Sequence, residues 1–542
     1  MVPLSCLRYA RIMLTRLKVD GFKNLIGVDI SFGPFTCIGG ANGVGKSNLF
    51  DAIRFLSALA DKPLLDAALS VRSEGGRSGD IRSIFHRVSD HSERQIRFEA
   101  EMLVPAAGID DLGQEAKATM TFLHYALTLE LAPRGLTIRK ETLHHIKKKE
   151  ANRHLPFPHS PAWRDSVVVG RRTAAFISTE ETEGQTQIKL HQDGGGDYLG
   201  GGRPRPHPAE RLTRTVLSTA TNAAESPTVV LARREMQSWQ LLQLEPSALR
   251  APDSYNAPTA MDIHGAHLPA TLARLARWHG ANVGLMERGP TSDNEAYAAA
   301  VYASVANQLA ELIDDVHSIR IEADDSREIL KLMLRDRAGT EHEARSLSDG
   351  TLRFLALAIL ENDPAARGVL CLEEPENGIH PQRIPAMLRL LRNLAAHPMT
   401  TDADNPLRQV IVNTHSPAVV AQVDEEDLLL VVPEVTMRAG HRCVKPAFRW
   451  LENTWRARLR PNVPPLAAGH VLTYLNPVET VGSEVLPQQR KRRVVDRPEL
   501  QRADQGRAGA LPLRSPFRPP GWRSSGSRPS SAGNPGSAGR GR

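Results

Sequence analysis

The spacing of apolar residues changes rhythm repeatedly along this chain, and each change predicts a different element. Residues 14–20 alternate apolar and polar positions, as a half-buried strand should, and residues 28–32 form a second such run. Residues 35–38 are a short apolar run ending in Gly39 and Gly40. From Lys46 to Ala60 the period lengthens, with Leu49, Ile53, Leu56 and Ala60 on one face of a helix. Period two returns over 95–102, 122–129 and 136–139, which predicts an antiparallel sheet within 94–146. Residues 147–226 are the least patterned of the body. They hold the basic run Lys147 to Lys149 and a glycine-rich stretch at 193–202, read as a flexible surface loop. Helical periodicity covers 228–246, 267–279 and 294–316. Residues 317–445 alternate strand and helix. Here 369–372, 409–412 and 428–432 are continuously apolar, like inner strands of a parallel sheet covered on both faces. No heptad pattern persists over several turns and no internal repeat is present.

Composition narrows the class. A chain of 542 residues with 41% hydrophobic content has room for more than one domain and an ample core. No apolar run approaches the roughly 18 residues needed to span a bilayer. Residues 1–13 carry Arg8 and Arg11 but lack the apolar stretch of a secretory signal. Cys6, Cys37, Cys371 and Cys443 form no CxxC pair, and Cys37 and Cys371 fall in strand-like runs. Buried thiols of this kind suit a reducing cytosol, so a cytoplasmic location is expected and a structural zinc site is not.

The net charge of +7 is unevenly placed. Residues 490–542 hold thirteen Lys/Arg against three Asp/Glu, a net of +10, which leaves about −3 for residues 1–489. This terminal stretch is also dense in Pro, Gly and Ser and reads as a disordered tail. It is either simply solvated or engaged in non-specific contact with nucleic acid or acidic lipid.

Four motifs carry chemistry. Gly40-Ala-Asn42-Gly43-Val44-Gly45-Lys46-Ser47 is a complete G-x-x-x-x-G-K-S between a strand and a helix, followed by Asn48. Backbone N–H groups of such a loop cradle phosphates at a helix N-terminus, Lys46 reaches the β- and γ-phosphates, and Ser47 ligates Mg²⁺. Next, the apolar strand at 368–372 delivers Glu373 and Glu374 at its C-terminal end, where ligands bind in open α/β sheets. Glu373 is assigned to Mg²⁺ through water and Glu374 to the attacking water, the division of labour that phosphoryl transfer needs. Third, Ser348 and Gly350 open a helix in Leu-Ser-Asp-Gly-Thr, 26 residues before Glu374 (348 to 374). Finally, His415 follows the strand at 409–412 and could hydrogen-bond a γ-phosphate.

In this order the motifs resemble the ATP-binding-cassette ATPases of the RecF, SMC and OLD families, and most of all their bacterial AAA-domain "predicted ATPase" group. The likeness runs through Leu17-Lys-Val-Asp-Gly-Phe-Lys-Asn-Leu, the phosphate loop with Asn-Leu-Phe-Asp-Ala-Ile, Leu-Ser-Asp-Gly-Thr at the signature, and Glu-Glu-Pro-Glu-Asn-Gly-Ile-His-Pro at Walker B and the D-loop. It is close over 13–60 and 340–432, and looser over 94–146 and 244–250. The resemblance implies an α/β fold: an ATP-binding-cassette-type P-loop head split by a long insertion, with an antiparallel β subdomain and a helical subdomain. The expected division is an N-terminal lobe at 13–146, an insertion, partly loop and partly helical, at 147–316, a C-terminal lobe at 317–445, an extension of undetermined fold at 446–489, and the tail at 490–542. It implies ATP and Mg²⁺ as cofactors, and a homodimer that sandwiches two ATP molecules with Ser348 and Gly350 acting in trans.

The departures are specific. Glu373 stands where Asp is commoner. The Q-loop glutamine has Gln95 as its only, weak candidate, and an arginine contact to phosphate has Arg72, Arg77 and Arg82. No spaced acidic set follows His415, so no nuclease centre is expected. Two functions fit: an ATPase acting on DNA in repair or phage defence, and an ATP-switched protein that gates a separate effector without touching DNA. A membrane-transporter subunit is disfavoured, because loop and signature lie 302 residues apart (46 to 348).

Overall fold

The computed structural model describes residues 13–71, 80–133, 135–182, 184–193, 204–277, 292–313, 315–401 and 408–475. All belong to one compact unit, Met1–Thr480; the second, Val481–Arg542, lies outside them, as do the first twelve residues, Arg72, Arg77, most of the glycine-rich stretch and the basic tail. Among the described residues no helix is long and apolar enough to cross a membrane.

A six-stranded sheet forms the centre. Its order is Gln240–Leu242, Gly368–Glu373, Arg408–Thr414, Phe35–Gly40, Leu428–Arg438 and His441–Arg449. The first five strands pair in parallel and the last closes the edge antiparallel. The continuous apolar runs explain why these strands are inside. Successive side chains point to opposite faces, and here both faces are covered. Val369, Cys371, Ile411 and Leu429 enter a core shared with Leu49, Ile53 and Leu56 of the helix Lys46–Leu59. Their neighbours Leu370, Leu372, Val410 and Leu430 enter a second core with Leu355 and Ile359 of the helix Asp349–Asn362 and Leu391 of the helix Ile384–Asn393. Cys37 and Cys371 are buried free thiols, and burial pushes both well above the ordinary thiol range.

An eight-stranded antiparallel sheet packs on the first core, ordered Arg205–Pro208, Gln185–Leu190, Ile177–Thr182, Gly135–His145, Phe122–Ala132, Gln95–Leu103, Met13–Asp20 and Val28–Ser31. Its inner face is pinned to the Lys46–Leu59 helix by Phe22, Phe55 and Phe98, whose ring centroids lie 5.7–5.8 Å apart.

The insertion differs from its reading as loop and helix. Its first part adds three strands to this sheet, which their polar content hid: Ile177–Thr182 buries only Ile177, and Gln185–Leu190 only Ile188 and Leu190. The helix expected over 228–246 ends at Gln237, and Gln240–Leu242 is a strand of the central sheet, its residues level with Leu370, Cys371 and Leu372. Pro246, which disfavours helix in the residue before it, then starts a new short helix, Pro246–Leu249. The helices Leu268–Arg277 and Ser292–Ala310 pack against Asp349–Asn362, and Val316–Asp324 leads into a small antiparallel sheet rather than continuing a helix. The extension also folds as far as it is described. Trp455–Leu459 is a short helix whose Arg456 is buried, donating to the Ser31 carbonyl, Thr36 Oγ1 and the Glu426 carbonyl.

Candidate nucleotide and metal site

The C-terminal ends of three adjacent parallel strands, Phe35–Gly40, Arg408–Thr414 and Gly368–Glu373, place three of the four motifs side by side. Past the first, the loop turns into the helix Lys46–Leu59 through Gly45, which takes φ +113°. A side chain there would be doubly excluded: a Cβ would lie 2.5 Å from Asn24 Nδ2. Asn24 occupies that space as a brace, donating to the Val44 carbonyl (3.3 Å) and accepting from Asn48 Nδ2 (2.9 Å). No side chain caps the helix, so its first-turn N–H groups and dipole face the loop.

Lys46 is buried and donates to the carbonyls of Gly40 (2.7 Å) and Ala41 (2.8 Å). Burial lowers its pKa, and the nearby carboxylates of Glu374 and Glu376 oppose that shift. The buried Glu376 accepts from Thr414 Oγ1, and desolvation raises its pKa.

Glu373 ends its strand half-buried, accepting from Gln243 Nε2 (2.8 Å) and Asn413 Nδ2 (3.4 Å). Glu374 adopts φ +47°, a left-handed conformation that costs a non-glycine residue of order 1–3 kcal/mol and is held by its surroundings. Its N–H donates to the Asn413 carbonyl (3.0 Å), one carboxylate oxygen lies 2.6 Å from His415 Nδ1, and the other accepts from Asn377 Nδ2 (2.9 Å). Ser47, Glu373, Glu374, Gln243, Asn413, Asn377 and Arg353 line one cavity of about 350 Å³. Its hydroxyl, carboxylate and amide oxygens are hard donors of the type Mg²⁺ takes, and the amides orient the carboxylates without neutralising them. The residues present therefore fit a Mg²⁺–nucleotide.

The structure brings together Gly40, Asn42, Gly43, Val44, Gly45, Lys46, Ser47 and Asn48 on the loop and helix start, beside Glu373, Glu374 and His415. It leaves Ser348 and Gly350 off the cavity wall. Ser348 caps its helix, accepting from Thr351 N (3.2 Å), and is exposed. Gly350 is buried against the D-loop, where a Cβ would lie 2.6 Å from the Gly378 carbonyl oxygen. Gln95 is not the glutamine of the site. It sits in the antiparallel sheet opposite Glu130 and accepts from Arg97. The glutamine on the cavity wall is Gln243, which donates to Glu373 and follows a strand of only three residues, too short to show a period. Arg82 lies exposed in a 3₁₀ turn at Ile81–Ile84; the arginine lining the cavity is Arg353, two residues past Leu-Ser-Asp-Gly-Thr.

Comparison with known proteins follows the same residues. The family model described as AAA domain, putative AbiEii toxin, Type IV TA system matches residues 35–106 and 243–421, which hold the loop, Gln243, the signature, both glutamates and His415. The DNA replication and repair protein RecF of Clavibacter sepedonicus is 28% identical over 127 residues, covering 23% of this chain. The chain thus spans only 30% of that relative's length. Among solved structures, the Smc head bound to the C-terminal winged-helix domain of ScpA aligns at 13% identity with a TM-score of 0.40, over 81% of this chain and 98% of that one. The SMC head domain of Thermotoga maritima aligns at 13% identity and a TM-score of 0.32, over 80% and 98%.

Proposed function

We propose, for a chain that belongs to the RecF/SMC-like ATPases, that it binds ATP with Mg²⁺ at this cavity and hydrolyses it, as a cytoplasmic protein. The observation that carries the reading is the Glu374 carboxylate, held between His415 and Asn377 on the cavity that Ser47 and Glu373 also line. Loop N–H groups and Lys46 bind the phosphates. Ser47 and Glu373 would hold Mg²⁺, which would supply charge neutralisation at the phosphates. Gln243 orients Glu373. Glu374 positions the attacking water and accepts its proton, and His415 orients Glu374 and hydrogen-bonds the γ-phosphate. Ser348, exposed and away from the cavity of its own subunit, is suited to a second subunit's nucleotide, so ATP would join two copies and hydrolysis release them.

The biological reading we favour is an ATPase acting on DNA in repair or phage defence, supported by the RecF likeness. The second reading, an ATP-switched protein that gates a separate effector, is supported by the toxin–antitoxin description of the matching family and by a surface observation. On the outer face of the antiparallel sheet three basic side chains are paired: Lys18 with Glu99 (2.8 Å), Arg16 with Glu101 (3.2 Å), and Arg97 with Asp20 (3.5 Å). Paired charges make a poor footprint for phosphate backbone. ATP turnover measured with and without duplex DNA separates the two. Salt-sensitive stimulation by DNA supports the first, and turnover indifferent to DNA supports the second.

A further inference from the structure

A chain of contacts joins the start of the signature helix to the carboxylate assigned as base. Arg353 lies in the second turn of Asp349–Asn362 and lines the cavity. Its Nη1 donates to the carbonyl oxygen of Asn377. Asn377 in turn grips Glu374 twice: its N–H donates to the Glu374 carbonyl (3.0 Å) and its Nδ2 to a carboxylate oxygen (2.9 Å). The second carboxylate oxygen faces His415. The orientation of Glu374 is therefore set from two directions, one of which ends on Arg353.

Two further observations place the helix start against this turn. Gly350 faces the Gly378 carbonyl so closely that a Cβ there would lie 2.6 Å from its oxygen. On its other side the helix start is held by Arg250, which donates to the Leu347 carbonyl (3.0 Å) and to Asp349. The same turn of helix carries Ser348, the residue assigned to a partner's nucleotide.

We propose that Arg353 is a positioning residue: it sets the Glu374 carboxylate through Asn377, so that displacement of the signature helix by a second subunit reaches the base of its own subunit. The proposal rests on the ATPase reading. It needs no contact between Arg353 and ATP. A guanidinium suits the role because it stays charged and is rigid, holding a carbonyl oxygen with little loss of side-chain freedom.

The test uses the full-length protein. Turnover number, nucleotide affinity by a fluorescent ATP analogue, and thermal midpoint are measured for wild type, Glu374→Gln, Arg353→Ala, Arg353→Lys, Asn377→Ala and the Arg353→Ala/Asn377→Ala double variant. A misplaced carboxylate predicts a loss in kcat of about ten- to a hundredfold for either alanine variant, with affinity and midpoint little changed. Lysine should restore much of the loss, and the double variant should be no slower than Asn377→Ala, since both break one chain. Losses that multiply would overturn the relay. So would an Arg353→Ala variant with weakened ATP binding and unchanged kcat, which marks a direct phosphate contact. Hydrogen exchange at residues 374–379 decides the question without turnover: Arg353→Ala should speed it, and unchanged exchange contradicts the proposal. A wild type that does not hydrolyse ATP contradicts the ATPase reading and leaves the exchange result to judge the relay.

Discussion

On the outer face of the eight-stranded sheet, Lys18 meets Glu99 and Arg16 meets both Asp29 (2.8 Å) and Glu101, so acids are answered by bases across neighbouring strands. At the strand ends of the six-stranded sheet, Glu373 meets the side-chain amides of Gln243 and Asn413, and Glu374 meets Asn377 and His415. The first arrangement cancels charge locally, partly exposed at Lys18 and Glu99 and buried at Glu101, which His154 also meets. The second fixes carboxylates in direction while sparing their charge, beside a helix N-terminus and a buried lysine. Similar residue types thus serve solubility in one sheet and ligand chemistry in the other, and the partner decides which.

That contrast can be broken experimentally. The largest effect is expected at the amides: Gln243→Ala should raise the Mg²⁺ concentration that half-saturates turnover by about ten- to a hundredfold, as loss of an orienting partner does at metal sites, read from a Mg²⁺ titration. Gly350→Ala should lower kcat about tenfold with ATP affinity retained, because its Cβ must push the Gly378 backbone. A stability measurement sharpens the comparison from inside. Glu141 is buried under the antiparallel sheet, accepting from Val216 N, Leu217 N and the Tyr125 hydroxyl, and burial raises its pKa to about 7. Between the ordinary glutamate value of 4.5 and about 7 the folded protein holds a proton that the unfolded chain has released. Its contribution to stability is therefore fully present below that window, is lost as pH rises through it, and is constant above. Urea denaturation at pH 5 and pH 8 should show a smaller difference for Glu141→Gln than for wild type. The smallest effect is expected for Lys18→Ala, within about 1 kcal/mol by denaturation and with turnover unchanged, since exposed ion pairs contribute little.

The frame of the proposed site was legible because each motif is contiguous: the phosphate loop, Glu373 with Glu374, and His415 each sit at the end of an apolar run that the sequence displays. The continuous apolarity of 369–372 and 409–412 likewise announced strands covered on both faces. What the pattern concealed depends on contacts distant in sequence. Gln243 follows a strand of three residues, too short to show a period, that belongs to the central sheet only because Leu370–Leu372 lies beside it. The strands at 177–208 are polar along much of their length, because the sheet's far end reaches beyond the core. Arg456 read as one charge in a weakly periodic segment. It is buried because Ser31, Thr36 and Glu426 supply acceptors and Trp455 stacks 4.1 Å from its guanidinium.

The central claim is that Glu374 drives hydrolysis of ATP bound at the loop. The most direct test is single-turnover cleavage of radiolabelled ATP by Glu374→Gln, with binding measured on the same sample. The account predicts ATP bound with near wild-type affinity and cleaved at least about a hundredfold more slowly. Cleavage at the wild-type rate would contradict it.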